Sequence, residues 1–298
     1  MIRVSTVPGT TSLLVLRRGG LGDTLLTIPL LRALRRAHPD TSLHFAGVRE
    51  FAEVLHAHGA VDEVLSSEDV AAWSLATASG AAARQRLRRH SLIVADDPAL
   101  AVLRASGPEV RVLDLAVRTA DPFGLQLARS AGVEPRWPGD SWLAPPRPQP
   151  VDGPVVLAPG SGGRHKCWPR ERWVELAHSL GARGERIAVV VGPAEIERDD
   201  PRRWPWGASV TFVAEPVVGL AHTLRKARAF VGNDSGPSHL AACVGVPTIV
   251  LFGPTDPRVW SPVGGHVRVV AAGDLAAISV EQVDAAVDQG SRLRTLSQ

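Results

Sequence analysis

Short apolar runs alternate with segments of helical spacing along both halves of the chain, and this alternation constrains the fold most. Apolar runs predict strands at 13–16, 43–46, 61–65, 92–95, 110–113, 155–158, 187–191, 209–213, 229–231, 248–252 and 267–270. Helical patterns fit at 26–34, 48–58, 69–89, 97–106, 122–131, 170–182, 216–227, 236–244 and 279–289. Because such alternation builds parallel sheets covered by helices, the sequence predicts an α/β fold with two Rossmann-like units.

The length of 298 residues accommodates two medium-sized domains. The stretch from Trp137 to Pro154 is rich in proline, which is typical of a stiff linker between folding units. We therefore predict an N-terminal domain over residues 1–148 and a C-terminal domain over residues 149–298.

Localisation and redox state follow from features that the sequence lacks. No apolar run approaches the ~18 residues of a membrane span, and the N-terminus lacks the pattern of a signal peptide. We therefore expect a cytoplasmic protein. Its two cysteines, Cys167 and Cys243, show neither disulfide nor metal spacing, so we expect reduced thiols and no metal site. The net charge of +3 is too small to indicate nucleic-acid binding.

The turn Asp234-Ser235-Gly236-Pro237 joins a buried strand to a short helix and carries the strongest functional signal. Unpaired amides and the helix dipole favour an anion at such a helix start, and Gly236 lets a diphosphate come close. Two structural alternatives stay open. Asp234 or Ser235 could serve only as a helix cap, and His239 could be a hydrogen-bonded core histidine.

A first glycine loop, residues 19–23, ends at Asp23. It is not the dinucleotide fingerprint, because Leu25 stands where a third glycine is required, and a nicotinamide cofactor is disfavoured. Asp23 has two interpretations, a helix N-cap or a general base that accepts a proton from an acceptor hydroxyl.

A second glycine loop runs from Ala158 to Pro169. Its glycines, including Gly162, expose amides to an anion, Lys166 adds a positive charge, and Ser161 adds a hydroxyl donor. A Walker loop is excluded, because no Gly-Lys-Ser/Thr occurs. The alternative is a solvated basic turn, although only two of the 33 basic residues are lysines.

Other charged residues give weaker signals. Glu195 and Glu197 follow a strand and could accept ribose hydroxyls, or they could form a solvated first helical turn. The pairs Asp96-Asp97 and Asp199-Asp200 precede prolines and are interpreted as turns. Arginines of the first half could form a basic face, or a solvated helix surface, at positions 32, 35, 36, 84, 86, 88 and 89.

Three segments together, residues 17–34, 158–180 and 231–264, resemble the family-nine glycosyltransferases, the ADP-heptose:lipopolysaccharide heptosyltransferases. The resemblance implies a GT-B fold of two facing Rossmann-like domains. It places the acceptor on residues 1–148 and the nucleotide sugar on residues 149–298. The last helix is a candidate to pack back on the N-terminal domain.

The same motifs imply roles for individual residues. Asp23 matches the family's catalytic base, Lys166 its phosphate-binding lysine, and Asp234 its donor turn. Donor or phosphate binding is predicted for Ser161, Gly162, Lys166, Glu195, Glu197, Asp234, Ser235, Gly236 and His239. Glu195 and Glu197 are alternatives for the ribose contact. Acceptor binding is predicted for Arg17, Arg18, Gly20 and Arg118.

The resemblance also implies the reaction, an inverting transfer of heptose from an ADP-heptose-type donor to an acceptor hydroxyl, without metal or other cofactor. The acceptor is either a lipopolysaccharide core or a natural-product or other glycan, because the sequence from 66 to 107 departs from the family. Peripheral contact with the inner face of the cytoplasmic membrane is a further expectation. The alternatives are a GT-B-like nucleotide-sugar epimerase and a non-catalytic nucleotide-sugar-binding protein.

Overall fold

The computed structural model describes residues 12–66, 85–98, 100, 108–136, 143, 152–207, 210–264 and 266–292. The chain divides into two compact units, Met1–Trp137 and Pro138–Gln298. Leu143 is buried, and its N–H donates to the carbonyl of Cys243 at 2.9 Å, so this residue packs with unit 2. The division therefore lies upstream of the predicted boundary at 148/149. The predicted helices at 69–89 and 97–106 lie largely outside the described residues.

Unit 1 contains a five-stranded sheet with the order β3-β2-β1-β4-β5, in which neighbouring strands are parallel. Its strands are Ser12–Leu16 (β1), Ser42–Gly47 (β2), Glu63–Ser66 (β3), His90–Ala95 (β4) and Glu109–Val112 (β5). Its helices are Leu21–Leu25 (α1), Ile28–Ala37 (α2), Arg49–Ala57 (α3) and Phe123–Ser130 (α4). The apolar residues of β1 and β4 are almost completely buried, as expected for strands covered on both faces.

The helical pattern after the first glycine loop forms two helices, α1 and α2, rather than one. Pro29 lies in the first turn of α2, where its missing N–H costs nothing, but its ring would clash inside a continuous helix. The Thr27 hydroxyl donates to the carbonyl of Thr24 at 2.6 Å across the break. The helix α1 is consequently only five residues long and serves to present the loop before it.

Unit 2 contains a six-stranded sheet with the order β11-β10-β9-β6-β7-β8, again with parallel neighbours. Its strands are Val155–Ala158 (β6), Ile187–Val190 (β7), Val210–Val213 (β8), Ala229–Asn233 (β9), Thr248–Phe252 (β10) and Val267–Ala271 (β11). Its helices are Arg170–Ala182 (α5), Pro193–Asp199 (α6), Val217–Leu224 (α7), Gly236–Cys243 (α8), Pro257–Trp260 (α9) and Val280–Arg292 (α10). Of the two short helices, α6 was expected only as a helical turn around Glu195 and Glu197, and α9 was not predicted.

The last helix, α10, packs within unit 2. Val283 and Val287 are fully buried in the core of that unit. Asp284 forms an ion pair with Arg183 and accepts a hydrogen bond from the Ser179 hydroxyl at 2.7 Å, which ties α10 to α5.

Both sheets reverse their strand order at the same place. In unit 1 the chain builds outward from β1 to β3 and then returns to place β4 on the other side of β1. In unit 2 it builds outward from β6 to β8 and returns to place β9 beside β6. The carboxyl ends of the two central strands at such a switch point diverge into loops on opposite faces, and open α/β sheets bind ligands there.

Candidate functional site

The switch point of unit 2 joins the second glycine loop to the Asp234 turn. Lys166 Nζ lies 2.7 Å from Asp234 Oδ2, and the Thr255 hydroxyl donates to the same oxygen at 2.8 Å. The Asp234 side chain is 8% exposed, whereas that of Lys166 is 28% exposed. An ammonium group has three N–H donors, so the ion pair leaves two for another partner. The predicted loops therefore meet around one buried carboxylate, with the lysine at the surface.

One side chain fixes both ends of the glycine loop. Asn233, which is fully buried at the end of β9, donates from Nδ2 to the carbonyl of Pro159 at 2.7 Å. Its Oδ1 accepts the backbone N–H of Trp168 at 3.0 Å. Trp168 is itself anchored, because its indole N–H donates to the carbonyl of Ile278 at 3.0 Å. The segment between these anchors, which includes Lys166, is held in place although it is rich in glycine.

The Asp234 turn presents a helix start. Ser235 is the N-cap of α8, and Pro237 lies in the first turn. The Ser235 side chain makes no capping hydrogen bond, and its buried Oγ has no partner within the part of the chain that the structure describes. Neither Ser235 nor Asp234 thus caps α8 in the way that the structural alternative required. His239 is 5% exposed and lies inside the same helix.

The Ser161 hydroxyl does not point to open solvent. It donates to the carbonyl of Asp234 at 2.9 Å, which uses the proton that the sequence analysis assigned to an anion. Arg198 donates to the carbonyls of Ser161 and Gly162, at 2.9 and 3.1 Å. These bonds hold the backbone of the loop and place a cation beside it.

Glu195 and Glu197 are placed differently. Glu195 Oε2 accepts the N–H of Gly192 at 3.0 Å, and a side chain at Gly160 would overlap the Glu195 carboxylate. Glu195 also borders a cavity of about 520 Å³ beside the glycine loop, together with Trp168 and Trp204. Glu197 is exposed and does not line this cavity. Of the two glutamates, only Glu195 contacts the loop.

The switch point of unit 1 carries Asp23. Gly19 has a φ of +126°, which only glycine adopts readily, and it turns the chain into Gly20, the N-cap of α1. Asp23 lies in the first turn, and its Oδ2 accepts the Gly20 N–H at 3.0 Å. Its Oδ1 lies 2.5 Å from Arg17 Nη2, and its side chain is 39% exposed. Asp23 therefore caps the helix from within the first turn and remains accessible.

Asp96, interpreted from the sequence as part of a turn, is a buried partner of this loop. Its side chain is 2% exposed and accepts hydrogen bonds from Arg17 Nη1 at 3.2 Å and from the Arg18 backbone N–H at 2.8 Å. Arg18 Nε adds a third bond at 3.3 Å. The signal that could have found Asp96 is its position directly after β4, the strand beside β1.

The residues predicted to bind an acceptor do not share one environment. Arg17 is buried and contacts Asp23 and Asp96, while Arg18 is half exposed above Asp96 and Asp97. Arg118 lies apart in the exposed loop after β5, where its guanidinium contacts Asp114 at 2.8 Å and lowers the pKa of that carboxyl. The acceptor roles of Arg17, Arg18, Gly20 and Arg118 stay predictions.

Within the described ranges, no group of three or more His, Cys, Asp or Glu residues is arranged to hold a metal ion. Burial raises the pKa of the Cys167 thiol, which lies 3.5 Å from the carbonyl of Gly163. No helix in the described part of the chain is both long and apolar enough to cross a bilayer.

Comparison with known proteins identifies the family of the chain. The sequence model of Glycosyltransferase family 9 (heptosyltransferase) matches residues 132–286, just over half of the 298 residues. Lipopolysaccharide heptosyltransferase 3 of Escherichia coli is 32% identical over 134 residues, which cover 40% of this chain and 37% of that protein. The chain spans about a third of the length of the first curated relatives that it matches.

Solved structures share the fold. The glycosyl transferase family 9 structure from Veillonella parvula DSM 2008 has a TM-score of 0.76 at 18% identity and covers 98% of this chain and 100% of its own. The structure of E. coli heptosyltransferase WaaC with ADP has a TM-score of 0.71 at 21% identity and covers 94% and 99%. The predicted GT-B fold is confirmed.

Proposed function

The chain belongs to glycosyltransferase family 9, and within that family we propose that it transfers a heptose from an ADP-heptose-type donor to an acceptor hydroxyl. The observation that carries the proposal is the 2.7 Å ion pair between Lys166 and Asp234, which joins the two predicted donor loops at one switch point. Relatives whose names or structures record heptosyl transfer and bound ADP support the choice of donor.

Unit 2 supplies groups suited to a diphosphate. The accessible Lys166 ammonium retains two N–H donors, and the start of α8 offers the Gly236 N–H, for which a helix has no internal partner, with the Ser235 hydroxyl beside it. Such groups stabilise negative charge that develops on a departing diphosphate. In our proposal Asp234 orients the lysine and contacts the donor sugar, Gly236 lets the diphosphate approach, and Glu195 meets the ribose.

Unit 1 supplies the base. Asp23 is the accessible carboxylate of its switch point, and in our proposal it takes the proton from the acceptor hydroxyl as that oxygen attacks C1 of the heptose. The bond from C1 to the diphosphate breaks as the new C1–O bond forms, so the configuration at C1 inverts. Lys166 and the Gly236 N–H stabilise the leaving-group charge, so the proposed reaction needs no metal.

The acceptor belongs to the proposal as well. The names of the curated relatives refer to lipopolysaccharide, and we propose a glycan or lipid-linked hydroxyl acceptor at the cytoplasmic membrane surface. A natural-product acceptor is the alternative. Incubation of the enzyme and ADP-heptose with each acceptor class, followed by mass spectrometry, distinguishes them. An altered nucleotide sugar formed without acceptor would instead identify an epimerase.

The donor site is tested by calorimetric titration of ADP into two lysine variants. Lys166→Ala should weaken ADP binding by roughly 10-fold or more, because it removes a charge-assisted contact to phosphate. Lys226→Ala is the matched control, since Lys226 is exposed and lies before β9. It is therefore at the amino ends of the strands, whereas Lys166 is at their carboxyl ends. Equal affinity of the two variants for ADP would refute the assignment of Lys166.

A further inference from the structure

A buried carboxylate with no role in the proposed reaction lies next to the proposed base. Asp96 is 2% exposed, and within the described part of the chain its three hydrogen-bond donors come from the dipeptide Arg17-Arg18. Taking a carboxylate out of water is costly unless cationic donors compensate it. These hydrogen bonds therefore fix the end of β4 to the end of β1, although Asp96 and Arg17 are 79 residues apart in sequence.

Arg17 transmits this constraint to Asp23. Its guanidinium contacts Asp96 through Nη1 at 3.2 Å and Asp23 through Nη2 at 2.5 Å. Because a guanidinium is planar and rigid, fixing one edge against Asp96 fixes the direction of the other edge. Nη1 also donates to the carbonyl of Arg18 at 2.9 Å, which leaves the group little freedom to rotate.

Asp23 is held through both oxygens, with Arg17 on Oδ1 and the Gly20 N–H on Oδ2. A carboxylate has about four lone-pair positions, so two contacts leave room for a hydroxyl proton. A base that is fixed in this way meets its substrate at one distance and angle, which is the geometry that efficient proton transfer requires.

We propose that Asp96 is a positioning residue, which acts through Arg17 to orient Asp23. This inference rests on the proposed role of Asp23 as the base. Neither Asp96 nor Arg17 touches the reacting atoms in this proposal. In this proposal Arg17, whose predicted role was acceptor binding, holds the base.

The first test is Asp96→Asn, which keeps the side-chain shape but removes the charge that holds Arg17. We expect kcat to fall by roughly 10- to 100-fold, because small misplacements of a catalytic group have effects of that size. The Kd for ADP should not change. The matched control is Asp121→Asn, since Asp121 forms an exposed ion pair with Arg129 at 2.7 Å elsewhere in unit 1, and its kcat should stay within about two-fold.

A double-mutant cycle separates positioning from a general structural role. In an Asp23→Ala background, Asp96→Asn should produce no further loss of kcat, because the group that it orients is gone. The proposal would be overturned if Asp96→Asn lowered kcat in the Asp23→Ala background as much as it does in the enzyme that retains Asp23. Arg17→Lys, which keeps the charge but not the planar fork, should reproduce the loss if Asp96→Asn does not fold. Unimpaired turnover by Asp23→Ala alone would instead refute the proposed base.

Discussion

In unit 1 the ion pair at the switch point buries its cation and exposes its carboxylate, whereas in unit 2 the pair buries its carboxylate and exposes its cation. The Arg17 and Asp23 side chains are 9% and 39% exposed, and those of Asp234 and Lys166 are 8% and 28% exposed. In each unit the loop after the first strand meets a buried aspartate that follows the strand beside it. Arg17 and Asp23 follow β1 and Asp96 follows β4, whereas Lys166 lies in the loop after β6 and its own partner, Asp234, follows β9.

The same topology thus presents an accessible carboxylate in one unit and an accessible cation in the other. The buried member of each pair is fixed by the fold, and the exposed member is accessible to a ligand. An accessible carboxylate is suited to accept a proton, and an accessible cation is suited to bind a phosphate. The polarity of each pair therefore matches the role proposed for its unit, independently of any likeness between the loops.

The strongest test of this comparison is Asp23→Ala. We expect kcat to fall by ~10²–10⁴-fold, because the proton acceptor is lost, while the Kd for ADP stays unchanged. Steady-state kinetics and calorimetry measure the two quantities. Lys166→Ala should do the reverse and act mainly on ADP affinity. If both variants changed only kcat, or only the Kd for ADP, the two switch points would not have the separate roles that their polarity indicates.

A matched control for Asp23 is available in the same unit. Asp121 forms an exposed ion pair with Arg129 at 2.7 Å, and Asp121→Ala should leave both kcat and ADP affinity within about two-fold of their original values. A large loss of activity in Asp121→Ala would indicate that unit 1 tolerates no loss of an exposed aspartate.

The second prediction concerns the pH dependence of stability, which should differ between the two units. In unit 1 the buried ring of His90 and the partly buried ring of His44 meet at 3.2 Å near the amino ends of β4 and β2. Burial lowers the pKa of His90 from 6.5 to about 4 and also lowers the pKa of His44. The unfolded chain therefore takes up protons first, and unit 1 loses stability as the pH falls from about 6.5 to about 4.

For His90 this loss is on the order of 3 kcal/mol, complete once the pH reaches the lowered pKa. Hydrogen exchange of β1 and β4 against β6 and β9, corrected for the intrinsic pH dependence of exchange, measures it. His90→Asn should flatten the pH dependence of unit 1 only. Equal acid sensitivity of both units, or an unchanged slope in His90→Asn, would contradict the prediction.

The smallest effect is expected at Gly19. A Cβ there would lie 2.5 Å from Asp23 Oδ2, and the φ of +126° disfavours any other residue. We expect Gly19→Ala to lower kcat by roughly 10-fold by displacing Asp23. Gly59→Ala is the control, because Gly59 has a φ of +70° but no atom within 4 Å of its added Cβ. It should lower the melting temperature without lowering kcat.

Much of the fold could be predicted because buried parallel strands are written as apolar runs. Runs such as Val155–Ala158 and Thr248–Phe252 coincide with β6 and β10 as observed. The helices α6 and α9 could not, because seven and four residues are too short to show a helical period. The split between α1 and α2 depended on one proline, Pro29, within an otherwise continuous pattern.

The site was predictable in part for a different reason. Glycine loops after strands mark the carboxyl edge of a sheet, so Asp23, Lys166 and Asp234 stood out from local sequence alone. Asp96 did not, because its burial depends on arginines that are 78 and 79 residues away. The different placements of Glu195 and Glu197 were likewise not predictable, because no local pattern reveals which side chain packs against Gly160.

The two hydrogen bonds of Asn233 fix both ends of the glycine loop to β9. Since one amide holds the loop at Pro159 and again at Trp168, the ends of the loop do not depend on the exposed residues between them, Gly162, Arg164 and His165. Those three positions can vary while the sheet beneath keeps its packing. Gly160 and Ser161 cannot, because Gly160 packs against Glu195 and the Ser161 hydroxyl donates to the carbonyl of Asp234.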